Sequence, residues 1–406
     1  MNRALFVAYD FPPCENIGGS IRSEKFADYL PLFGWRPIVV SIKRLGSLKK
    51  VERYPFVFRY TSLTPFSWPY QVTPYGWALR LIPSIPLLVK KQGIDVIYVS
   101  CPPFPGAVIG AISGILCRVP VVLDFRDAWS LDPYQEGSRL KRLVYRAVFP
   151  SIEAVVFKLT TRIIVNTPSM LREYRKLYPK QFSKFFYLPN GYDQRDFVAR
   201  GNNVDFGGKG FQVMHLVYTG RFGVGGRNPS NLLKALRIVA DAGLPIKLTI
   251  VGDQPRYIVE KIERYGLEGI ISLVPQVSHE TALDIVDASD TVLLYQEESE
   301  KPVQAIAGKT FEYIASRKPI LCICPPGDNR DVVMSYTAYA SYANGNNPKE
   351  IAAGLTSIFS ILKNTYNLEK SILKQEEYEA LFERKNQAKS LAGLLRKELR
   401  IKNESA

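Results

Sequence analysis

The segment HLVYTGR (215–221) has the pattern of a buried strand that ends in a turn, and IKLTIVGD (246–253) repeats that pattern further along the chain. A longer stretch with helical spacing separates the two. Short β-branched runs that alternate with helical patterns indicate βαβ units on a parallel sheet. Further candidate strands of this half lie at 271–277, 291–296, 319–325 and 338–343. The second half of the chain is therefore predicted to form a Rossmann-like sheet.

The first half shows the same alternation, with candidate strands at 4–9, 36–42, 95–100, 119–125, 162–167 and 185–190. The segment 198–210 is rich in Gly and polar residues and has neither period, which indicates a linker. Helical spacing returns near the C-terminus. The fold class predicted is α/β, with two Rossmann-like parallel-sheet domains facing across a cleft. Their predicted bounds are 1–198 and 199–375, and 376–406 is predicted to be a helix that returns to the first domain.

The composition is that of a globular protein with an uneven charge. With 406 residues, two domains are expected, and 46% hydrophobic and 22% charged residues exclude disordered, collagen-like and small disulfide-stapled classes. Residues 1–200 hold 28 Lys and Arg against 14 Asp and Glu, whereas 201–406 hold 25 against 24. A basic half predicts contact with nucleic acid, anionic lipid or a phosphorylated substrate. A surplus that serves only solubility is the alternative.

The sequence has few of the residues that several kinds of catalytic and metal-binding site require. The five cysteines include no CxxC pair, which favours a reduced, cytoplasmic protein. His215 and His279 are the only histidines, so neither a histidine-rich metal site nor a Ser-His-Asp triad is predicted. The sequence holds no Asp-x-Asp triplet for a metal-bound nucleotide. The N-terminus enters a strand-like run at once, and the longest apolar stretch, 104–117, is too short to span a membrane.

Glycine-rich loops indicate where anionic groups could bind. Gly18 and Gly19 follow the first strand and precede a helix, where exposed amides and the helix dipole favour a negative group. A tight turn without a ligand is the alternative there. The loop at Gly223 and the Gly308-Lys309-Thr310 segment approach two nucleotide fingerprints, but each lacks a required glycine. Neither fingerprint is therefore predicted.

Seven fragments occur in a fixed order along the chain. They are PPCENIGGSIRS (12–23), SCPPFPG (100–106), DFRDAW (124–129), PNGYD (189–193), YTGRFG (218–223), IVGD (250–253) and GKTFEYIASRKPIL (308–321). Together they resemble the family 4 glycosyltransferases of the GT-B fold, especially the bacterial branch that builds surface polysaccharides. The resemblance covers nearly the whole chain. It implies a nucleotide-sugar on the second domain, an acceptor on the first, reaction in the cleft between them, and retention of anomeric configuration.

The resemblance also implies a donor site. Glu312 would accept hydrogen bonds from the ribose hydroxyls, and Arg221 would bind the diphosphate with Lys309 or Arg227 as second cation. These cations would replace a metal, so neither a metal nor a cofactor is expected. Gln304 stands where the family has the first of two glutamates. The expected donor-binding residues are Gly18, Gly19, Arg221, Gly223, Arg227, Gly252, Gln304, Ala305, Lys309 and Glu312.

In the first half, DFRDAW places two carboxylates and an arginine at the end of an apolar strand. Asp127 lies where related enzymes often carry a histidine, so it is expected to contact the acceptor hydroxyl, with Arg126 and Trp129 as further acceptor contacts. Asp127, Arg221 and Lys309 are the predicted catalytic residues. The alternative is that Asp124 and Arg126 form a structural ion pair and Asp127 caps the next turn.

Two stretches suggest a membrane surface as partner. Residues 54–91 are crowded with aromatic, proline and basic residues, and 139–146, RLKRLVYR, is a basic cluster at the start of a helical pattern. Basic residues beside aromatic and aliphatic ones are typical of interfacial membrane contacts. Peripheral attachment to the inner face of the cell membrane is expected, with a saccharide or polyprenyl-diphosphate-linked saccharide as acceptor. Core packing of these aromatics is the alternative.

Two other functions share some of these features. A sugar-nucleotide epimerase would have the same two-domain fold but should carry more carboxylates and histidines than this chain offers. A nucleic-acid-binding protein is suggested only by the charge, and no helix-turn-helix, RRM or zinc module is recognisable. Nucleic acid is therefore not an expected partner.

Overall fold

The computed structural model describes residues 1–13, 18–43, 56–64, 73–131, 139–198, 212–223, 227–296, 304–364 and 371–404, although side chains at 139–146, 198 and 403 are not described. The strands are β1 Asn2–Ala8, β2 Trp35–Ile42, β3 Val57–Tyr60, β4 Val96–Cys101, β5 Val121–Phe125, β6 Arg162–Val165, β7 Phe185–Tyr187, β8 Met214–Thr219, β9 Ile246–Val251, β10 Ile271–Val274, β11 Thr291–Tyr295, β12 Ile320–Ile323 and β13 Ala340–Tyr342.

The α-helices are α1 Gly18–Tyr29, α2 Thr73–Gln92, α3 Pro105–Cys117, α4 Arg139–Leu159, α5 Pro168–Leu177, α6 Arg195–Val198, α7 Ser230–Asp241, α8 Arg256–Arg264, α9 His279–Asp287, α10 Gly308–Ala315, α11 Asp328–Tyr336, α12 Pro348–Asn364, α13 Gln375–Phe382 and α14 Arg384–Glu404. The chain divides into two compact units, one formed by Met1–Asn190 with Arg384–Ala406 and the other by Gly191–Glu383.

The first unit is built on a parallel sheet of seven described strands in the order β3-β2-β1-β4-β5-β6-β7. The chain builds outward from β1 to β3 and then returns to β4, so the order reverses between β1 and β4. Such a reversal opens a crevice beyond the carboxyl ends of the strands, where open α/β sheets bind ligands. In β1, Leu5, Phe6 and Val7 are all buried, as expected for a central strand covered on both faces.

Helix α14 completes the core of this first unit. Leu391 and Leu395 are fully buried in the same cluster as Phe6, Phe26 and Tyr98. The helix also packs against α1. Burial of a leucine side chain contributes about 1.5–3 kcal/mol, so these contacts stabilise a unit whose other residues lie in the first half of the chain.

The second unit repeats the design with six described parallel strands in the order β10-β9-β8-β11-β12-β13. Here the order reverses between β8 and β11. One face of the sheet packs against α7, α8 and α12, around buried Tyr218, Leu236 and Ile351. The opposite face packs against α9, α10, α11 and α13, around Phe311 and Tyr378.

The boundaries differ from those expected from the sequence. The division falls at 190/191 rather than 198/199, because Tyr192 stacks on Tyr378 at 5.3 Å between ring centroids and donates its backbone N–H to Phe382 O at 3.0 Å. The single helix expected over 376–406 is broken at Glu383, whose backbone is extended (φ −74°, ψ 130°). Consequently α13 belongs to the second unit and α14 to the first.

One strand went unrecognised in the sequence. Strand β3 lies at the edge of the first sheet within the aromatic and proline-rich stretch 54–91, and its four residues are only half-buried, so they show no clear alternation. Residues 54–55 and 65–72 of that stretch, and residues 199–210 of the linker expected at 198–210, lie outside the described residues. Among the helices that the structure describes, none is long and apolar enough to cross a membrane.

Candidate active site

The carboxyl edge of the second sheet gathers several of the expected donor residues at the reversal point. Arg221 follows the end of β8, and Lys309 and Glu312 lie on α10, which follows β11. Strands β8 and β11 are neighbours in the sheet. Two loops that are distant in sequence thus meet where parallel sheets open a ligand crevice.

Helix α10 is oriented by its apolar residues. Thr310, Phe311, Tyr313 and Ile314 are buried, whereas Lys309 and Glu312, three residues apart, are only half-buried. The Tyr313 hydroxyl accepts a hydrogen bond from Thr219 N at 2.9 Å and lies 2.9 Å from Thr219 Oγ1. The GKTFEY segment therefore forms the start of α10 and is hydrogen-bonded to the end of β8.

Lys309 is held in a confined position. Its Nζ donates a hydrogen bond to Thr219 O and lies 4.0 Å from the centroid of the Tyr218 ring. Burial and the positive charge of Arg227 lower the pKa of Lys309 to about 7, against smaller opposite effects of Cys324 and Glu312. The ammonium group therefore loses its proton near neutral pH, and a bound anion would favour its charged form.

Glu312 has a histidine beside it. Its Oε1 lies 3.5 Å from Nε2 of His279, and that nitrogen also lies 3.8 Å from Asp196 Oδ2. The side chains of His279 and Glu312 are 40% and 23% exposed, so both are open to a ligand. From the sequence, His279 was considered only as a metal or triad residue. Its one local signal is Ser278, whose side chain accepts from Thr281 N and so places His279 at the first position of α9.

Glycines let the loops after β8 and β9 approach each other. Gly220 (φ +151°) and Gly252 (φ +129°) adopt backbone conformations that side chains disfavour, and a Cβ at Gly252 would lie 3.1 Å from Gly220 O. Gln254, absent from the expected site, joins the two loops. Its Nε2 donates to the carbonyl oxygens of both glycines, at 2.9 and 2.7 Å, and its Oε1 accepts from Phe222 N at 3.0 Å.

The two arginines expected to bind the donor differ in exposure. Arg221 is exposed and Arg227 is half-buried. Gly223 adopts φ +76° and donates its N–H to Arg227 O at 2.8 Å. Arg221 and Arg227 both follow β8 in the chain.

Gln304 and Ala305 form hydrogen bonds with other residues of the protein. Gln304 Oε1 accepts a hydrogen bond from Asp328 N at 2.8 Å, at the start of α11. A Cβ at Gly327 would lie 1.7 Å from that oxygen, and the φ of +140° there also disfavours residues with a side chain. Ala305 O accepts from Gln296 Nε2 at 3.1 Å. In this conformation the Gln304 side-chain oxygen accepts the first N–H of α11, and its expected contact with the donor stays a prediction.

The first sheet also gathers expected residues at its reversal point. Arg126 donates its backbone N–H to Cys101 O at 2.9 Å, and its Nη2 donates to Pro102 O at 2.6 Å. A Cβ at Gly19 would lie 2.6 Å from Arg126 Nη1. The absence of a side chain at Gly19, at the start of α1 beside Gly18, therefore makes room for Arg126, and the approach of a ligand to this loop stays a prediction.

Asp127 lies at the surface after β5. The side chain is exposed, although the protein atoms around it raise the pKa of its carboxyl, against a smaller opposite effect of the Arg126 charge. Asp124 does not pair with Arg126, which corrects the alternative considered from the sequence. Its Oδ2 instead forms a buried ion pair with Arg22 Nε at 2.7 Å.

Trp129 does not lie where an acceptor could touch it. Only 1% of the residue is exposed, and its ring stacks on Phe104 at 5.1 Å between centroids with an interplanar angle of 1°. It also meets Phe125 and Phe149. The expected acceptor contact of Trp129 is therefore wrong for this structure, because an aromatic residue after a strand can be drawn into the core.

Metal ligands are not clustered in the described part of the chain. Within those ranges, no group of three or more His, Cys, Asp or Glu side chains could hold a metal ion.

Comparisons with known proteins define the class. A sucrose-phosphate synthase from Thermosynechococcus elongatus superimposes with a TM-score of 0.71 at 15% identity, over 99% of this chain and 100% of that one. HepE of Anabaena in complex with UDP gives 0.67 at 14%, over 98% and 100%. WaaG, a glycosyltransferase involved in lipopolysaccharide biosynthesis, gives 0.66 at 14%, over 97% and 99%. The fold is therefore GT-B, with two parallel-sheet α/β units, as predicted.

A family model matches part of the chain. Residues 18–196 match the family model described as Glycosyltransferase Family 4. This match covers a little less than half of the chain, and together with the GT-B fold it identifies a glycosyltransferase. UDP-N-acetylglucosamine 2-epimerases also share the fold. No curated protein matches the chain.

Proposed function

We propose that this glycosyltransferase moves a sugar from a nucleotide-sugar to a saccharide or lipid-linked saccharide acceptor, with retention of configuration and without a metal ion. The observation that carries the proposal is the meeting of Lys309 and Glu312 with the loop of Arg221 at the reversal point of the second sheet. A carboxylate for hydroxyl groups and cations for phosphates at one edge form the pattern that a nucleoside diphosphate requires.

Each donor group has a chemical role in this proposal. Glu312 accepts hydrogen bonds from the two ribose hydroxyls, and His279 beside it donates or accepts one more. Lys309, Arg221 and Arg227 balance the charge that develops on the diphosphate as it leaves, which lowers the barrier to bond cleavage. The HepE structure was determined with UDP, which supports a uridine nucleotide as the first donor to test.

The acceptor is assigned to the first unit. Asp127 is the exposed carboxylate at the reversal-point edge of its sheet, where it could orient or deprotonate an acceptor hydroxyl within hydrogen-bond reach. Arg126 stabilises the loop beside it through backbone contacts. We assign the activity to cell-surface polysaccharide synthesis, such as capsule, exopolysaccharide or lipopolysaccharide, and the involvement of WaaG in lipopolysaccharide biosynthesis supports that assignment.

An apolar surface on the first unit supports attachment to a membrane. Helix α2 packs against α3, and α3 against α4. Their exposed apolar residues include Leu79, Ile82, Leu87, Ile112, Ile115, Leu116, Val148, Val155 and Leu159. Exposed Arg80, Lys90, Lys91 and Lys158 lie on the same helices, and exposed Arg118 directly follows α3. Apolar and basic residues together are what a peripheral contact with anionic lipid needs, and we propose the inner face of the cell membrane as the location.

Nucleotide-sugar turnover tests the main proposal. Purified protein is incubated with UDP-, GDP- and dTDP-sugars in EDTA, with and without a polyprenyl-diphosphate-linked N-acetylglucosamine in detergent micelles. Transfer to the lipid-linked sugar from one donor is expected. A donor converted to its C2 epimer without any acceptor would identify an epimerase instead, and an absolute need for Mg²⁺ would contradict the role given to the cations.

Vesicle sedimentation tests the membrane contact. The variant Leu79→Gln/Leu87→Gln/Leu116→Gln is compared with the wild type on vesicles of about 30% phosphatidylglycerol in phosphatidylcholine. Ile238→Gln/Leu273→Gln/Met334→Gln, at exposed apolar residues of the second unit, is the matched control. Loss of binding in the first variant alone is expected, and equal binding of both variants would refute the assignment of this surface.

A further inference from the structure

Glu153 is a fully buried carboxylate on α4 that the donor and acceptor assignments do not use. Its Oε2 accepts from Ser130 N at 2.8 Å and from the Tyr174 hydroxyl at 3.0 Å. Its Oε1 accepts from Ser130 Oγ at 2.5 Å and from the Tyr178 hydroxyl at 2.7 Å. Four donors thus surround one carboxylate, as a buried charge requires.

These hydrogen bonds converge on the loop that follows β5. Ser130 supplies two of the four donors, and Trp129 N donates to the same Tyr174 hydroxyl at 2.8 Å. The other end of the loop is tied at Arg126, whose backbone N–H donates to Cys101 O and whose carbonyl oxygen accepts from Asn166 Nδ2. Asp127 is the exposed residue between the two tied ends.

Burial of a carboxylate in the core costs free energy, because the charged group loses its contacts with water. Burial raises the pKa of Glu153, and the bonds from Ser130, Tyr178 and Tyr174 act in the opposite direction. An apolar side chain of similar size often serves stability equally well at such a position. What an apolar residue cannot do is hold the backbone N–H of Ser130 at a fixed place, because that requires an acceptor.

We propose that Glu153 is a positioning residue that fixes the 126–131 loop and thereby the place of Asp127 at the acceptor edge. The inference rests on the proposed function for the identity of the acceptor, but the fixing of the loop is a separate physical claim. Two experiments therefore address the two parts independently.

The network predicts which substitution it tolerates. In Glu153→Gln, the amide oxygen can take the Oε2 place and accept from Ser130 N and Tyr174, while the amide NH₂ faces the Ser130 and Tyr178 hydroxyls, which can rotate to accept. In Glu153→Leu, the Ser130 N–H and the tyrosine hydroxyls lose their acceptor. Glutamine should therefore restore what leucine removes, a rescue that packing volume alone does not predict.

Amide hydrogen exchange tests the fixing of the loop without any substrate. In Glu153→Leu, peptides that cover Trp129 and Ser130 are expected to exchange at least about tenfold faster than in the wild type, while those from β1 are unchanged and Glu153→Gln behaves as wild type. Val156→Ala, a buried truncation on the same helix, is the control for general loosening. Unchanged exchange in Glu153→Leu, or equal acceleration in Val156→Ala, would overturn the proposal. Tyr178→Phe serves if Glu153→Leu does not fold, with a smaller acceleration expected in the same peptides.

Kinetics test the consequence for the acceptor. With UDP-sugar and the lipid-linked N-acetylglucosamine probe, Glu153→Leu is expected to lower kcat/KM for the acceptor about tenfold or more while UDP affinity stays at the wild-type value. An equal loss of UDP affinity would show a merely structural role and refute positioning. If the wild type does not transfer to this probe, the proposed acceptor class fails, and hydrogen exchange still decides whether Glu153 fixes the loop.

Discussion

The carboxyl edges of the two sheets carry similar charged residues and use them in different ways. On the first sheet, Arg22 and Asp124 are buried against each other and Arg126 is bound by backbone carbonyls, which leaves Asp127 exposed. On the second sheet, Arg221 is exposed and Lys309 and Glu312 are only partly buried. A charged residue after a strand is therefore a stronger functional candidate where its side chain stays accessible than where it is buried against an opposite charge.

The largest effect is expected at the second edge. Glu312→Ala should lower UDP affinity by about 100-fold or more, because two hydrogen bonds to a charged group contribute about 1.5–3 kcal/mol each. Isothermal titration measures the loss, and Glu263→Ala, an exposed glutamate on α8, is the matched control. Wild-type affinity in the Glu312 variant would mean that the ribose lies elsewhere.

The next effect shows whether Trp129 packs in the core of the first unit or contacts the acceptor. Trp129→Ala should lower stability by about 3–5 kcal/mol, as for other buried aromatic truncations, and so reduce the apparent Tm by roughly 10 °C. UDP affinity should not change. Trp129→Phe should recover much of the stability. A normal Tm together with a higher acceptor KM would show instead that the ring contacts the acceptor.

Asp127→Asn should lower the transfer rate by about 100-fold, the lower end for loss of a proton acceptor, and leave UDP binding and Tm unchanged. Steady-state kinetics with donor and acceptor varied separately test this expectation. Asp95→Asn, at another carboxylate of the first unit, is the control. A rate within twofold of the wild type would remove Asp127 from the mechanism.

The smallest effect concerns pH. Because the pKa of Lys309 is lowered to about 7, its proton is bound below that pH and lost above it, whereas a diphosphate favours the charged form. UDP affinity of the wild type should therefore fall by about tenfold between about pH 6 and pH 8, relative to Lys309→Arg, in which the charge persists. Parallel titration curves for the two proteins would contradict the lowered pKa.

Much of the fold and part of the candidate site could be predicted from local sequence. Buried parallel strands are continuous runs of β-branched residues, so β8 and β9 were recognisable, and GKTFEY identified Lys309 and Glu312 through a family resemblance. Strand β3 lacked that signal because it lies half-buried at an edge. The fate of individual polar residues depended on distant partners. The pairing of Asp124 with Arg22, the capping of α11 by Gln304 and the approach of His279 to Glu312 have no local signature.

The placement of α14 has a consequence for biosynthesis. The first unit takes Leu391 and Leu395 into its core, so it lacks part of its apolar interior until α14 has emerged from the ribosome. The second unit, continuous from Gly191 to Glu383, emerges complete before then. Contrary to the usual N-to-C order of domain folding during translation, the later segment should be able to fold first, and the nascent N-terminal portion should depend longest on chaperones.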